Sequence, residues 1–197
     1  MEKGNIFVIS APSGAGKSSL VKALCAKDNS LQVSISHTTR TPRMGEVDGV
    51  NYYFISHDNF AAMLQQNKFI EHAVVYENFY GTHIDTINNL HQQNVDIILE
   101  IDIQGAMQVK KIFPHATLIF ILPPNLPELE RRLRSRNTDS EDTIVFRLSK
   151  AKDEIMQAKH FDYAVINDNF NDAISSIYSI IMVQRLKAQK VLSSYKF

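Results

Sequence analysis

Only one cysteine, Cys25, occurs among the 197 residues. No internal disulfide can staple the fold, which leads us to expect a reducing compartment, the cytoplasm. Cys25 itself reads as a small buried hydrophobe rather than a reactive thiol. Net charge is missing as well: 21 Lys and Arg balance 21 Asp and Glu. Without a global basic field, neither nucleic acid nor an anionic membrane is an expected partner. No apolar run approaches the ~18 residues of a spanning helix, and the first residues lack a signal-peptide pattern. Internal repeats, low-complexity stretches and linkers are not found either. The seven histidines show no metal-ligand spacing and are read as structural or exposed. What remains is a single domain over 1–197, long enough for one good core with inserted subdomains.

What is present is alternation. Strand-like apolar runs at Ile6–Ser10, Gln32–Ser36, Val95–Ile101, Thr117–Leu122 and Tyr163–Ile166 are separated by helical patterns. That order predicts an α/β fold with a parallel central sheet covered by helices. Phe170, Ala173, Ile174, Ile177, Ile180 and Ile181 keep the spacing of a helix with one buried face. Asn125-Leu126-Pro127 resembles a capped helix start. Two regions break the pattern. Residues 37–90 read as short strands at Tyr52–Ile55 and Phe69–Tyr76, one helix near His57–Asn67, and a turn at Asn78–Gly81. Arg131–Asp142 is arginine-rich and then polar, and is expected to form a mobile flap.

The densest signal follows the first strand: Ser10-Ala11-Pro12-Ser13-Gly14-Ala15-Gly16-Lys17-Ser18-Ser19. Strand, glycine-containing turn and helix in that order form the setting of a phosphate-binding loop. Glycines let backbone N–H groups turn inward around a polyphosphate, and the positive end of the new helix adds to that field. The loop from Ala11 to Ser19 is therefore the expected ATP grip. Lys17 is expected at the β/γ-phosphates and Ser18 at Mg²⁺. Ala11 stands where the general pattern has its first glycine, but the donors nearest the β-phosphate come from the Gly14–Ser18 end.

A second anion site is suggested by Ser36-His37-Thr38-Thr39-Arg40-Thr41-Pro42-Arg43. Arg40 and Arg43, held in a loop by Pro42, suit a fork that grips a phosphate dianion, and Tyr52 could add a hydroxyl. The competing reading is a solvated basic loop. Glu100 and Asp102 alternate with Leu99, Ile101 and Ile103 at a strand end, where ligands bind in parallel sheets. Asp102 fits an acid near Mg²⁺ and the acceptor, or a buried acid bonded to backbone amides. Arg131 and Arg134 read as a solvated helix face.

Taken together, Ser10–Ser19, Ser36–Arg43, Phe69-Ile70-Glu71, Tyr80-Gly81-Thr82, Ile98–Gly105, Arg136 and Arg147 resemble the guanylate kinase family, collinearly from about residue 4 to 168. The resemblance implies transfer of the γ-phosphoryl of ATP to GMP, and by extension dGMP, with Mg²⁺. It implies a three-layer α/β/α phosphate-loop NTPase core (1–36, 91–124 and 157–197), a GMP-binding insertion (37–90) and a lid (125–156). Carried over by motif, Arg40, Arg43, Tyr52 and Tyr80 would hold the GMP phosphate. Ser36, Glu71 and Thr82 would read guanine, with Glu100 and Asp102 beside the acceptor. Arg132, Arg136 and Arg147 match lid positions that close over the phosphates, and Asn167 one along the adenine. Guanine offers N1–H and N2–H₂ as neighbouring donors that one carboxylate can accept. Adenine would leave a buried Glu71 unpaired, at ~2–3 kcal/mol or more. Two other readings stay open: a catalytically silent protein-binding module of the same fold, and a kinase of a phosphorylated ribose. A homo-oligomer is possible in any of them.

Overall fold

The computed structural model describes residues 4–75, 77–93, 95–135 and 140–195. The β-branched and aromatic run Ile6–Ser10 forms β1, buried along its whole length. It is followed by α1 (Lys17–Lys27), β2 (Leu31–Val33), β3 (His37–Thr38), β4 (Tyr53–Phe54), α2 (His57–Gln65), β5 (Phe69–Val75), β6 (Asn78–His83) and α3 (Ile84–Gln92). The second half continues with β7 (Asp96–Glu100), α4 (Ile103–Ile112), β8 (Thr117–Leu122), α5 (Leu126–Ser135) and α6 (Glu141–Met156). A short 3₁₀ turn, β9 (Tyr163–Ile166), α7 (Phe170–Arg185) and α8 (Ala188–Ser194) close the chain.

Five strands form one sheet in the order β2-β7-β1-β8-β9, and every pairing in it is parallel. Alternation of side chains across the sheet builds two cores. Phe7, Ile9, Ile98 and Ile119 face α1 and α7, meeting Leu20, Leu24, Ile177 and Ile181. Val8, Ile97, Leu99 and Leu118 face the other way, onto Ile87 and Leu90 of α3 and Ala106 and Val109 of α4. The α/β class and parallel sheet read from the sequence are thus observed, with helices on both faces. A side chain as large as Phe7 or Leu24, fully buried here, contributes about 1.5–3 kcal/mol.

A second, mixed sheet of four strands has the order β4-β3-β6-β5. Its α2 is capped by Ser56, whose hydroxyl accepts the Asn59 N–H. Three expectations need correction. Asn78–Gly81 is not a turn but part of β6, paired antiparallel with β5. Before β6 the chain reverses instead at Glu77, which takes a left-handed φ of 67°. Gly81 serves packing, because a β-carbon there would stand 2.9 Å from Phe69 and 3.1 Å from Phe60. The Arg131–Asp142 flap is helical up to Ser135 and again from Glu141. Leu129 and Leu133 of α5 bury against Ile144 and Ala151 of α6, so the arginines ride on an amphipathic helix. The third correction concerns α3, which begins inside 37–90, runs on to Gln92, and packs its Ile87 and Leu90 on the central sheet. Arg136 lies outside the described residues.

Candidate functional site

The loop between β1 and α1 has the backbone that its glycines suggest. Gly14 and Gly16 take φ values of 97° and 93°, a left-handed region that side chains with a β-carbon enter at a cost. The tight turn is closed by Ala15 N–H donating to the Pro12 carbonyl at 3.1 Å. Lys17 opens α1, and its Nζ donates to the Ile101 carbonyl at 3.1 Å, just past the end of β7. The Ser18 hydroxyl donates to the Glu100 carboxylate.

Three other elements hold this loop. Asn167, at the end of β9, is buried and donates from Nδ2 to the Ala15 carbonyl at 2.8 Å. A β-carbon on Gly16 would collide with that same amide. From α5, Leu129 and Leu133 press on Gly14, leaving about 3.0 Å for any side chain there. From α6, Arg147 donates through Nη1 to the Ser13 hydroxyl at 3.0 Å, while Glu154, two turns on, accepts the Ser13 N–H. Burial raises the Glu154 pKa, with Asp102 adding to the effect.

Across a cleft of about 430 Å³ stand the residues of the second sheet. The loop from Ser36 to Tyr52 supplies Ser36, Arg40, Arg43, Glu46 and Tyr52 to its wall, and the β5–β6 pair supplies Glu71 and Tyr80. Arg40 is already ordered: Nη2 donates to both Glu46 oxygens, at 2.8 and 3.0 Å, and Nη1 to the Thr41 carbonyl at 2.9 Å. Its guanidinium lies 5.5 Å from the centre of the Tyr52 ring. Burial pushes the Tyr52 hydroxyl up to about 12, so it remains a neutral donor. Glu71 is only 2% exposed, and Thr82 donates its hydroxyl to Oε1 at 2.6 Å. Burial pushes Glu71 up to about 7, with the Asp102 charge a further contribution.

The structure therefore gathers Ala11–Gly14, Gly16–Ser19, Ser36, Arg40, Arg43, Tyr52, Glu71, Tyr80, Glu100, Asp102 and Arg147 around one cleft. Ala15 and Thr82 sit just behind it, fully buried. Arg132 and Asn167 do not line it. Arg132 donates to Glu128 at 2.7 Å and to the Asn167 carbonyl at 3.0 Å, a relay from α5 to the back of the loop. Arg131 and Arg134 are ion-paired on the helix surface, as a solvated face should be. Asp102 caps α4 by accepting the Gly105 N–H at 2.9 Å, so the acid nearest Ser18 is Glu100. Hydroxyl and carboxylate oxygens beside Lys17 form the hard donor set that suits Mg²⁺, although no cluster of three His, Cys, Asp or Glu groups occurs among the described residues. His37 is stacked on Tyr53 at 4.8 Å, and burial lowers its pKa to about 4, in keeping with a structural histidine.

Among the wall residues that escaped the reading of the sequence are two acids, Glu46 and Glu154. Glu46 follows Arg40 by six positions in a loop, a separation with no regular period. Glu154 shares a helix face with Arg147 at i, i+7, which is visible only once the helix itself is certain.

The sequence pattern of the guanylate kinase family matches residues 3–184. A guanylate kinase of Hydrogenovibrio crunogenus is 51% identical over 187 residues, covering 95% of this chain and 91% of its own. One of Haemophilus influenzae is 49% identical over 189 residues, covering 94% and 91%. Among solved structures, guanylate kinase from Anaplasma phagocytophilum superimposes with a TM-score of 0.76 at 30% identity, over 95% of this chain and 89% of that one.

Proposed function

The chain belongs to the guanylate kinase family, and from that premise we propose that it transfers the γ-phosphoryl of ATP to GMP, giving ADP and GDP. The observation that carries the reading is a single cleft with two unlike walls. One wall is a phosphate loop with Lys17 and Ser18. The other ends in a buried carboxylate, Glu71, backed by the Thr82 hydroxyl. A polyphosphate suits the first wall, and a base with two adjacent N–H donors suits the second.

The acceptor phosphate is already an oxyanion at neutral pH, so no general base is required. The protein's work is positioning and charge neutralisation. Lys17 supplies a cation at the transferring group, and Arg147, anchored at Ser13, supplies another. Arg40 and Arg43 hold the acceptor dianion, with the Tyr52 and Tyr80 hydroxyls beside them. Mg²⁺ would be held by Ser18 and Glu100 with Asp102 nearby, and would neutralise charge on the β- and γ-oxygens. Arg132 and Asn167 serve ATP indirectly, by bracing the phosphate loop from behind, and Arg136 would add a further cation from the lid. The lone thiol Cys25 suits a reducing compartment such as the cytoplasm.

Base choice gives the test. In Glu71→Gln the amide keeps the shape but turns a donor toward guanine. GMP should lose about 2–4 kcal/mol of transition-state binding, a factor of ~10²–10³ in kcat/KM. AMP should change little, and inosine monophosphate should fall between. Equal losses for the three acceptors would leave Glu71 structural and overturn the reading.

A further inference from the structure

Gly105 is buried in the first turn of α4, a place where glycine weakens a helix relative to alanine. It is not among the residues with positive φ, so conformational freedom does not explain it. Space does. A β-carbon on Gly105 would overlap Glu71 Oε2, and would stand 3.0 Å from the Glu71 carboxyl carbon and 3.3 Å from Asp102 Oδ1. Both carboxylates thus lie against the backbone of this one residue, whose N–H is already donated to Asp102 at 2.9 Å.

One turn further along the same face, Gln108 fixes the helix against the strand that carries Glu71. Its Nε2 donates to the His72 carbonyl at 2.7 Å, and its Oε1 accepts the His72 N–H at 3.1 Å. The side-chain amide thus pairs with the backbone of the edge strand β5 as a neighbouring strand would. Gln108 sets the distance between α4 and β5, and Gly105 leaves the gap into which Glu71 folds.

We propose that Gly105, held in register by Gln108, is a specificity-positioning residue: its missing side chain seats the Glu71 carboxylate on α4 and so fixes where the acceptor base is read. The inference rests on Glu71 as the base reader and goes beyond it by assigning what aims that carboxylate. A displaced carboxylate would still be buried and charged but would miss the two N–H donors of the base, so base preference suffers before ATP handling does.

The test is Gly105→Ala with GMP, inosine monophosphate and AMP as acceptors. We expect kcat/KM for GMP to fall at least tenfold, KM for ATP to stay within twofold, and the GMP-over-AMP preference to narrow. The helix preference of alanine offsets part of the strain of the collision, so the loss in kcat/KM should exceed any drop in thermal stability. Shortening the carboxylate should relieve the collision, so Glu71→Asp combined with Gly105→Ala should lose clearly less than the product of the two single losses. Gln108→Ala, at a more accessible position, should narrow the preference several-fold in the same direction, and it serves if Gly105→Ala does not fold. Unchanged base preference in the folded variants, or equal losses for all three acceptors, would overturn the proposal. If Glu71→Gln narrows the preference and Gly105→Ala does not, only this inference fails. If Glu71→Gln leaves the preference intact, the reading of the base site fails first.

Discussion

Glu71 carries a charge that the fold would rather not hold. Its carboxyl, ordinarily near 4.5, is raised to about 7 by burial, against the help of the Thr82 hydroxyl. A raised folded-state pKa contributes stability that is fully present below the unfolded value and is lost as pH rises through the folded one. The cost therefore grows between about pH 4.5 and 7 and is complete above it, at roughly 3 kcal/mol. Glu71→Gln should thus be more stable than the wild type at pH 8 by about that amount, and nearly equal at pH 4. Urea unfolding of both proteins at the two pH values measures it, and a constant difference would mean that the carboxyl ionises freely. At this scale the sequence was legible where a residue type dictates its own chemistry, as with Lys17 and Glu71. It is silent on Glu46, Glu154 and Gly105, whose roles come from what the fold sets against them: Arg40 in the same loop, the Ser13 N–H and the Glu71 carboxylate.

At the scale of elements, the phosphate loop is braced from behind by β9 as much as shaped by its own glycines. Asn167→Ala would strip the donor from the buried Ala15 carbonyl, costing about 1–3 kcal/mol of stability. It should also loosen the loop's donors, so KM for ATP should rise several-fold while KM for GMP moves little. Steady-state kinetics with each nucleotide varied in turn checks this, and a matching rise for GMP would mean a general loss of packing. The central strands were legible because fully buried parallel strands read as short apolar runs, and β7 and β8 lie where those runs do. Asn78–Gly81 was misread because Gly and Asn usually mark turns, whereas Gly81 makes room for the stacked rings of Phe60 and Phe69. The flap expected over Arg131–Asp142 gives way to helix up to Ser135 because Leu129 and Leu133, few beside the charges, keep an i, i+4 spacing that composition hides.

For the whole molecule, the edge of the sheet opposite the cleft is closed by one arginine. Arg185, at the end of α7, donates to Asp96 at the start of β7 and to Asp28 after α1, both at 2.7 Å, and to the Ser30 hydroxyl at 2.8 Å. Asp96 also accepts from the backbone and side chain of Asn5. The Ser30 hydroxyl and Arg185 hold the Asp28 carboxyl down at about 2. Arg185→Ala leaves Asp96, 8% exposed, without its cation, and should cost about 2–3 kcal/mol. kcat should not change, since the knot lies far from the reacting groups. In the wild type the Asp28 contribution is present above about pH 4 and lost as pH falls toward 2, so acid unfolding of the variant should begin at a higher pH. Circular dichroism during acid titration gives the comparison, and coincident curves would show that the ion pairs are screened. Alternating strands and helices reveal the fold class, but nothing local announces that α7 returns to tie the start of β7 to the turn after α1.

Arg40 is fastened to Glu46 before any phosphate arrives. A long guanidinium side chain surrenders up to about 2 kcal/mol of rotational freedom when it is fixed. Here that loss belongs to folding and not to the encounter. For an incoming dianion the event at Arg40 is an exchange of one anion for another, or the sharing of one cation between two. Recognition at this corner of the cleft thus resembles ion exchange on a preset resin more than the closing of a hand.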